Sequence, residues 1–91
     1  MYKIFENQAV DGESIEVVIT EADDAYIHVS GDLGGGTVTL ECEIDGNYAL
    51  MDGATFTEPL MKVFDRVPAS SKVKAILTGS TGADVNVIIT S

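Results

Sequence analysis

In Thr37-Val38-Thr39-Leu40-Glu41-Cys42-Glu43-Ile44-Asp45 the side chains alternate without a break. Val38, Leu40, Cys42 and Ile44 fall on one side, and Thr37, Thr39, Glu41, Glu43 and Asp45 on the other. A period of two is the period of an extended strand whose one face is buried. The β-branched Val, Ile and Thr that fill the stretch suit a pleated, half-buried surface. The residues that follow, Asp45-Gly46-Asn47, carry the turn chemistry of a tight hairpin.

The same period recurs on both sides of this stretch. Ser14-Ile15-Glu16-Val17-Val18-Ile19-Thr20 puts Ile15, Val17 and Ile19 on one face, and residues 24–30 do so with Ala25, Ile27 and Val29. Lys72-Val73-Lys74-Ala75-Ile76-Leu77-Thr78 and Asp84-Val85-Asn86-Val87-Ile88-Ile89-Thr90 complete the set. Residues 58–66 read as a strand closed by Pro68 in preference to a short helix with Pro59 in its first turn. Turn signals separate these runs: Asp11-Gly12, Gly31 to Gly36, Asp45-Gly46-Asn47, Asp52-Gly53 and Gly79 to Gly82. Their spacing predicts an all-β, antiparallel β-sandwich, immunoglobulin-like or jelly-roll-like, of about seven or eight short strands. The expected core is Ile15, Val17, Ile27, Val29, Val38, Leu40, Cys42, Ile44, Val73, Leu77, Val85, Val87 and Ile89. Ninety-one residues make one domain, with residues 1–12 the candidate for an extended N-terminal arm.

Charge narrows the function. Fifteen acids against five bases leave −10, which disfavours nucleic acid and anionic membrane surfaces as partners. The charge is also uneven. Residues 1–58 hold thirteen acids and Lys3 alone among bases, a net of −12, whereas 59–91 hold Lys62, Arg66, Lys72 and Lys74 against Asp65 and Asp84, a net of +2. An acidic surface serves solubility, and a split of this kind also suits a basic segment meeting an acidic part of a neighbouring copy. Met1 to Glu6 has no signal-peptide pattern and Cys42 is a single cysteine, so the chain reads as made in a reducing cytoplasm.

No motif supplies chemistry. Glu41 and Glu43 fall on the solvent side of their strand, where they form a solvated face and not an acid–base pair. The Asp-Gly and Asn residues near 45–53 lack the ligand spacing of a helix–loop–helix calcium loop, since position 49 is alanine. The glycines at 31–36 lead into a strand and carry no Lys-Ser/Thr ending, so they form a turn and cradle no phosphate. His28, the single histidine, has no nucleophile or orienting acid joined to it by any motif. These observations predict a non-enzyme with no metal or cofactor. Val18, Tyr26, Ile76 and Ile88 lie on the phase opposite their strand's main apolar row, and such residues grouped together mark an interface. With the basic Arg66, Lys72 and Lys74 they form the expected contact surface.

From Tyr26 to Ser91 the chain resembles a type of small virion protein of tailed bacteriophages. The resemblance rests on Val29-Ser30-Gly31, Gly36-Thr37-Val38-Thr39-Leu40-Glu41, Asp45-Gly46-Asn47-Tyr48, Asp52-Gly53, and the two closing strands 72–79 and 84–89. Tyr48 stands near the place where such proteins often carry Trp. The resemblance implies a β-sandwich that decorates or cements a capsid, or belongs to the tail, with no active site to transfer. The expectation is therefore a structural virion protein, made in the host cytoplasm, that binds the capsid surface. Its expected partners are the major capsid protein or other virion proteins and further copies of itself as a homo-oligomer. A tail or fibre component, or a carbohydrate-binding sandwich, is the alternative.

Overall fold

The alternation of residues 37–45 is realised as a central strand whose inward side chains, Val38 and Leu40, have no exposed surface. In the computed structural model, which describes residues 2–18, 23–67 and 72–90, every regular element is a strand. In chain order they are β1 (Tyr2–Gln8), β2 (Gly12–Glu13), β3 (Val17–Val18), β4 (Asp23–Asp32), β5 (Thr37–Ile44), β6 (Asn47–Phe56), β7 (Leu60–Val67), β8 (Lys72–Thr78) and β9 (Asp84–Thr90). They form two antiparallel sheets packed as a sandwich. The first runs β1-β9-β4-β7, and the second β2-β8-β5-β6 with β3 also on β8. We refer to them as the first and second sheet.

Between the sheets lies one cluster of buried apolar side chains. Nine residues of the expected core sit in it: Ile27, Val29, Val38, Leu40, Val73, Leu77, Val85, Val87 and Ile89. Ile4, Phe5, Leu33, Ala54, Phe56, Ala75 and Ala83 join them. Cys42 is half-buried and packs against the edge of the cluster. Ile19 lies outside the described residues, as do the side chains of Val17, Ala25 and Ile44.

Three expectations need correction. Ile15 is 69% exposed and belongs to no strand. The run 14–20 is broken: Glu13 faces Ile76 but Val17 faces Val73, so one extra residue has entered between them. The Ser14 hydroxyl drives the break by accepting the Ala75 N–H at 2.8 Å and donating to the Ile15 carbonyl. A one-residue slip turns every following side chain to the other face. Within the described part of the expected strand only Val17–Val18, β3, pairs in a sheet, while β2 lies ahead of it at Gly12–Glu13; the described residues form nine strands in all.

Second, residues 2–8 are not a trailing arm. They are β1, hydrogen-bonded along β9, with Ile4 and Phe5 both buried. A bulge between the Lys3–Ile88 and Phe5–Val87 pairs lets two successive side chains point inward. Third, Asp52-Gly53 is no turn. It sits inside β6, where the pairing with β5 jumps from Glu41–Leu50 to Thr39–Thr55.

The other turns follow their chemistry. Asp45 and Gly46, with φ of 54° and 81°, make a two-residue loop between Ile44 and Asn47, as a type I′ hairpin requires. The glycine-rich loop is less pliable than its composition suggests. Thr81 N–H donates to the Gly34 carbonyl at 3.0 Å, and a Cβ on Gly34 would come within 2.5 Å of the Thr81 carbonyl oxygen. The partner turn is fastened from a third place. The Asp11 carboxylate accepts the N–H groups of Gly79 and Ser80 at 3.0 and 2.9 Å, and the Ser80 hydroxyl as well. Those hydrogen bonds, the Ser80 hydroxyl first, hold the Asp11 carboxyl below its ordinary value.

Candidate functional site: the two outward faces

Alternation leaves each sheet one outward row per strand, and these rows are where the molecule meets its surroundings. On the second sheet the rows mix charged and apolar side chains: Leu50 and Val18 are exposed there beside the ion-paired residues. Glu43 pairs across to Lys72, Glu41 to Lys74 and Thr39 to Ile76 along β5 and β8. Lys72 Nζ lies 3.7 Å from Glu43, and Lys74 Nζ lies 3.0 Å from Glu13 and 3.9 Å from Glu41. The same ammonium stands 4.2 Å from the centre of the Tyr48 ring, a cation–π contact. The Tyr48 hydroxyl donates to the Glu16 carboxylate. Lys74 is thus the hub of this face. Its hydrogen bond to Glu13 leads the effects that raise its pKa, with the charges of Glu13, Glu41 and Glu16 adding to it against partial desolvation. Desolvation, then the bond to Glu16 and the surrounding carboxylate charge, push the Tyr48 hydroxyl up as well. Both shifts favour the cationic Lys74 and the neutral Tyr48 that the contact between them uses.

The first sheet is different. Register places Lys3, Ile88, His28 and Met61 in one row across β1, β9, β4 and β7. The next row holds Thr90, Tyr26 and Val63. Met61 is 59% exposed, Val63 46% and Tyr26 43%, with Ile88 half-buried among them. Leu60 is also exposed, but it pairs with the buried Val29 and so lies on the inward phase at the open edge of the sandwich. No ion pair between described residues spans these two rows; Lys3 turns to Glu6 at 4.0 Å along its own strand.

The expected contact surface is therefore divided. Val18, Ile76, Lys72 and Lys74 lie on the second sheet, whereas Tyr26 and Ile88 lie on the first, facing the opposite way. Arg66 is on β7 of the first sheet, and its side chain lies outside the described part. No flat partner touches both sets at once. The charge split is answered inside the chain as well, since Lys72 and Lys74 pair with Glu43, Glu13 and Glu41. Met61 and Val63 were missing from the expected surface. The alternation Met61-Lys62-Val63 held the signal, but it takes the pairing with Tyr26 and His28 to show which side of β7 looks outward.

The chemistry-bearing residues stay apart. His28 is on the first sheet's outward row and Cys42 on the second sheet's inward side, so they do not form a nucleophile–base pair. Among the described residues no three His, Cys, Asp or Glu side chains are grouped to hold a metal ion. Compared with family models, curated proteins and solved structures, the chain matches none. The two faces carry what can be said of its function. One pairs its charges laterally and leaves Leu50 and Val18 exposed among them, and the other presents Tyr26, Met61 and Val63 with no ion pair between described residues across its two rows.

Proposed function

We propose that this chain is a non-enzymatic structural protein of a virion, binding the capsid surface as a decoration or cement protein. The observation that supports it is the outward face of the first sheet, where Tyr26, Met61, Val63 and Ile88 surround His28. Contiguous exposed apolar side chains mark protein contacts, whereas isolated ones do not. An acidic, charge-laced remainder keeps such a protein soluble before assembly. The strand-and-turn resemblance to tailed-phage virion proteins supplies the setting: synthesis in the host cytoplasm, then attachment to the major capsid protein or another virion protein. The carbohydrate-binding alternative draws less support. It needs several aromatic platforms, yet among the described side chains Phe5 and Phe56 are buried, the Tyr48 ring is engaged by Lys74 and Tyr2 packs on the core, which leaves Tyr26.

Co-sedimentation with phage shells stripped of the protein tests this reading. Wild type should pellet with the shells. Because Ile76 and Ile88 lie on opposite faces, Ile76→Ser and Ile88→Ser are assayed separately, and the one that abolishes pelleting names the face that touches the shell. Wild-type protein left in the supernatant at every concentration would overturn the proposal.

A further inference from the structure

Among the described residues the two sheets end in four edges, formed by β1, β7, β6 and the short pair β2 and β3. An edge strand leaves one row of N–H and C=O groups without a ladder partner, a template for a strand of another chain. Three of the edges are spoiled by their own backbone. β1 meets β9 with two register shifts, and its Asn7 has φ of 52°. β2 and β3 are two residues each. In β6, the residues Met51 to Ala54 answer to Leu40 alone, a long bulge with Gly53 at φ 76°. Bulges and short strands are ordinary ways of blunting an edge.

β7 is the exception. From the Leu60–Val29 pair to the Phe64–Ala25 pair it follows β4 without a shift. Leu60, Met61, Val63 and Phe64 are apolar, and an uncharged strand of that kind is prone to pair edge to edge. The residue at the centre of the run is Lys62. It pairs with the buried Ile27, so its side chain takes the inward phase, and it is half-buried there. Its ammonium donates to the Gly53 carbonyl at 2.9 Å, which carries the side chain from the edge of the first sheet to the edge of the second. A Cβ on Gly53 would stand 2.5 Å from that nitrogen, so glycine leaves the room the ammonium uses. The bulge that spoils β6 as an edge also receives Lys62.

We infer that Lys62 guards the β7 edge against strand addition. A strand laid along β7 would cover the flank between the two sheets and take the Lys62 ammonium out of water, and a charge removed from water is costly unless it is fully paired. One inward charge thus does at β7 what bulges and short strands do at the other edges. The inference goes beyond the capsid reading and does not rest on it. In a solution of the pure chain the strand on offer is β7 of another copy. With the guard removed, two copies should join through one continuous sheet and stop there, because the other edges are irregular.

Analytical ultracentrifugation of the purified chain from about 1 to 200 µM, with infrared spectra of the amide band, tests the inference. Lys62→Val should self-associate about tenfold more tightly than wild type and add the infrared signal of new antiparallel pairing. Lys62→Gln loses the charge but keeps a donor for Gly53. It should change in the same direction by less, and it decides the test alone where urea unfolding shows Lys62→Val unfolded. Lys62→Arg should match wild type. Gly34→Ala, which loosens the fold away from β7, should match it too, and so separates edge pairing from association of unfolded chains. Folded Lys62→Val and Lys62→Gln that associate no more than wild type overturn the inference. So does Lys62→Arg or Gly34→Ala associating as strongly as Lys62→Val.

Discussion

The outward faces of the two sheets obey one alternation rule and reach opposite results. On the β5–β8 side, Lys74 is gripped by Glu13 and Glu41 and lies over Tyr48, so the polar groups complete one another within the chain. On the β4–β7–β9 side, Met61, Val63 and Tyr26 have water as their neighbour. A self-satisfied face has little to gain from a partner, while exposed apolar side chains gain about 25 cal/mol for each Å2 they bury. The contrast teaches that the richer web of contacts need not be the functional surface. Here the bare face has more to gain by association.

Both faces hang on the layer between them, so the largest effect comes from breaking that layer. Phe56→Ala removes a fully buried ring and should cost about 3–5 kcal/mol in urea unfolding, abolishing both faces together. Gly34→Ala comes next. With φ at 61° and the Thr81 carbonyl 2.5 Å from the new methyl, it should lose about 1–3 kcal/mol while leaving both faces intact.

Acid should separate the turn clamp from the faces. A carboxyl whose folded pKa is depressed adds stability above its ordinary value, here 3.8, and that contribution fades as pH falls through the folded value. Asp11→Asn should therefore lower the thermal midpoint at pH 7 and lower it much less at pH 3. The smallest effects sharpen the contrast itself. Lys74→Gln should cause a slight loss of stability that shrinks further in high salt, whereas Met61→Ser should leave stability within about 0.5 kcal/mol and change association alone. Cys42, half-buried beside the core, should react slowly with a thiol reagent in native buffer and quickly in urea.

Much of the sandwich was legible because alternation is local. Strands β8 and β9 follow their sequence pattern residue for residue, β5 does so at Val38 and Leu40, and Asp45-Gly46 forms the loop its chemistry requires. What stayed hidden is set by events between strands. A side-chain hydroxyl at Ser14 competes with the ladder and flips Ile15 outward, and a bulge turns both Ile4 and Phe5 inward. The division of the contact surface has a related cause. Alternation tells which residues share a side of their strand, but not which sheet that strand joins. Ile76 and Ile88 look equivalent in the sequence and end on opposite sides of the molecule.

The pairing of β1 with β9 sets a schedule as well as a shape. Asn7 N–H donates to the Asn86 side chain across 79 positions of sequence, and Tyr2 lies opposite Ile89. During synthesis Ile4 and Phe5 are made well before β9, the strand that aligns them. Until then their apolar surface stays open to chaperones or to neighbouring nascent chains, and the loop they close is among the slowest kinds to form. Once closed, Tyr2 and Ile89 lie side by side on one sheet, so a short linker joining β9 to β1, with the chain opened at the exposed Asp45-Gly46 turn, would free β1 from waiting for β9.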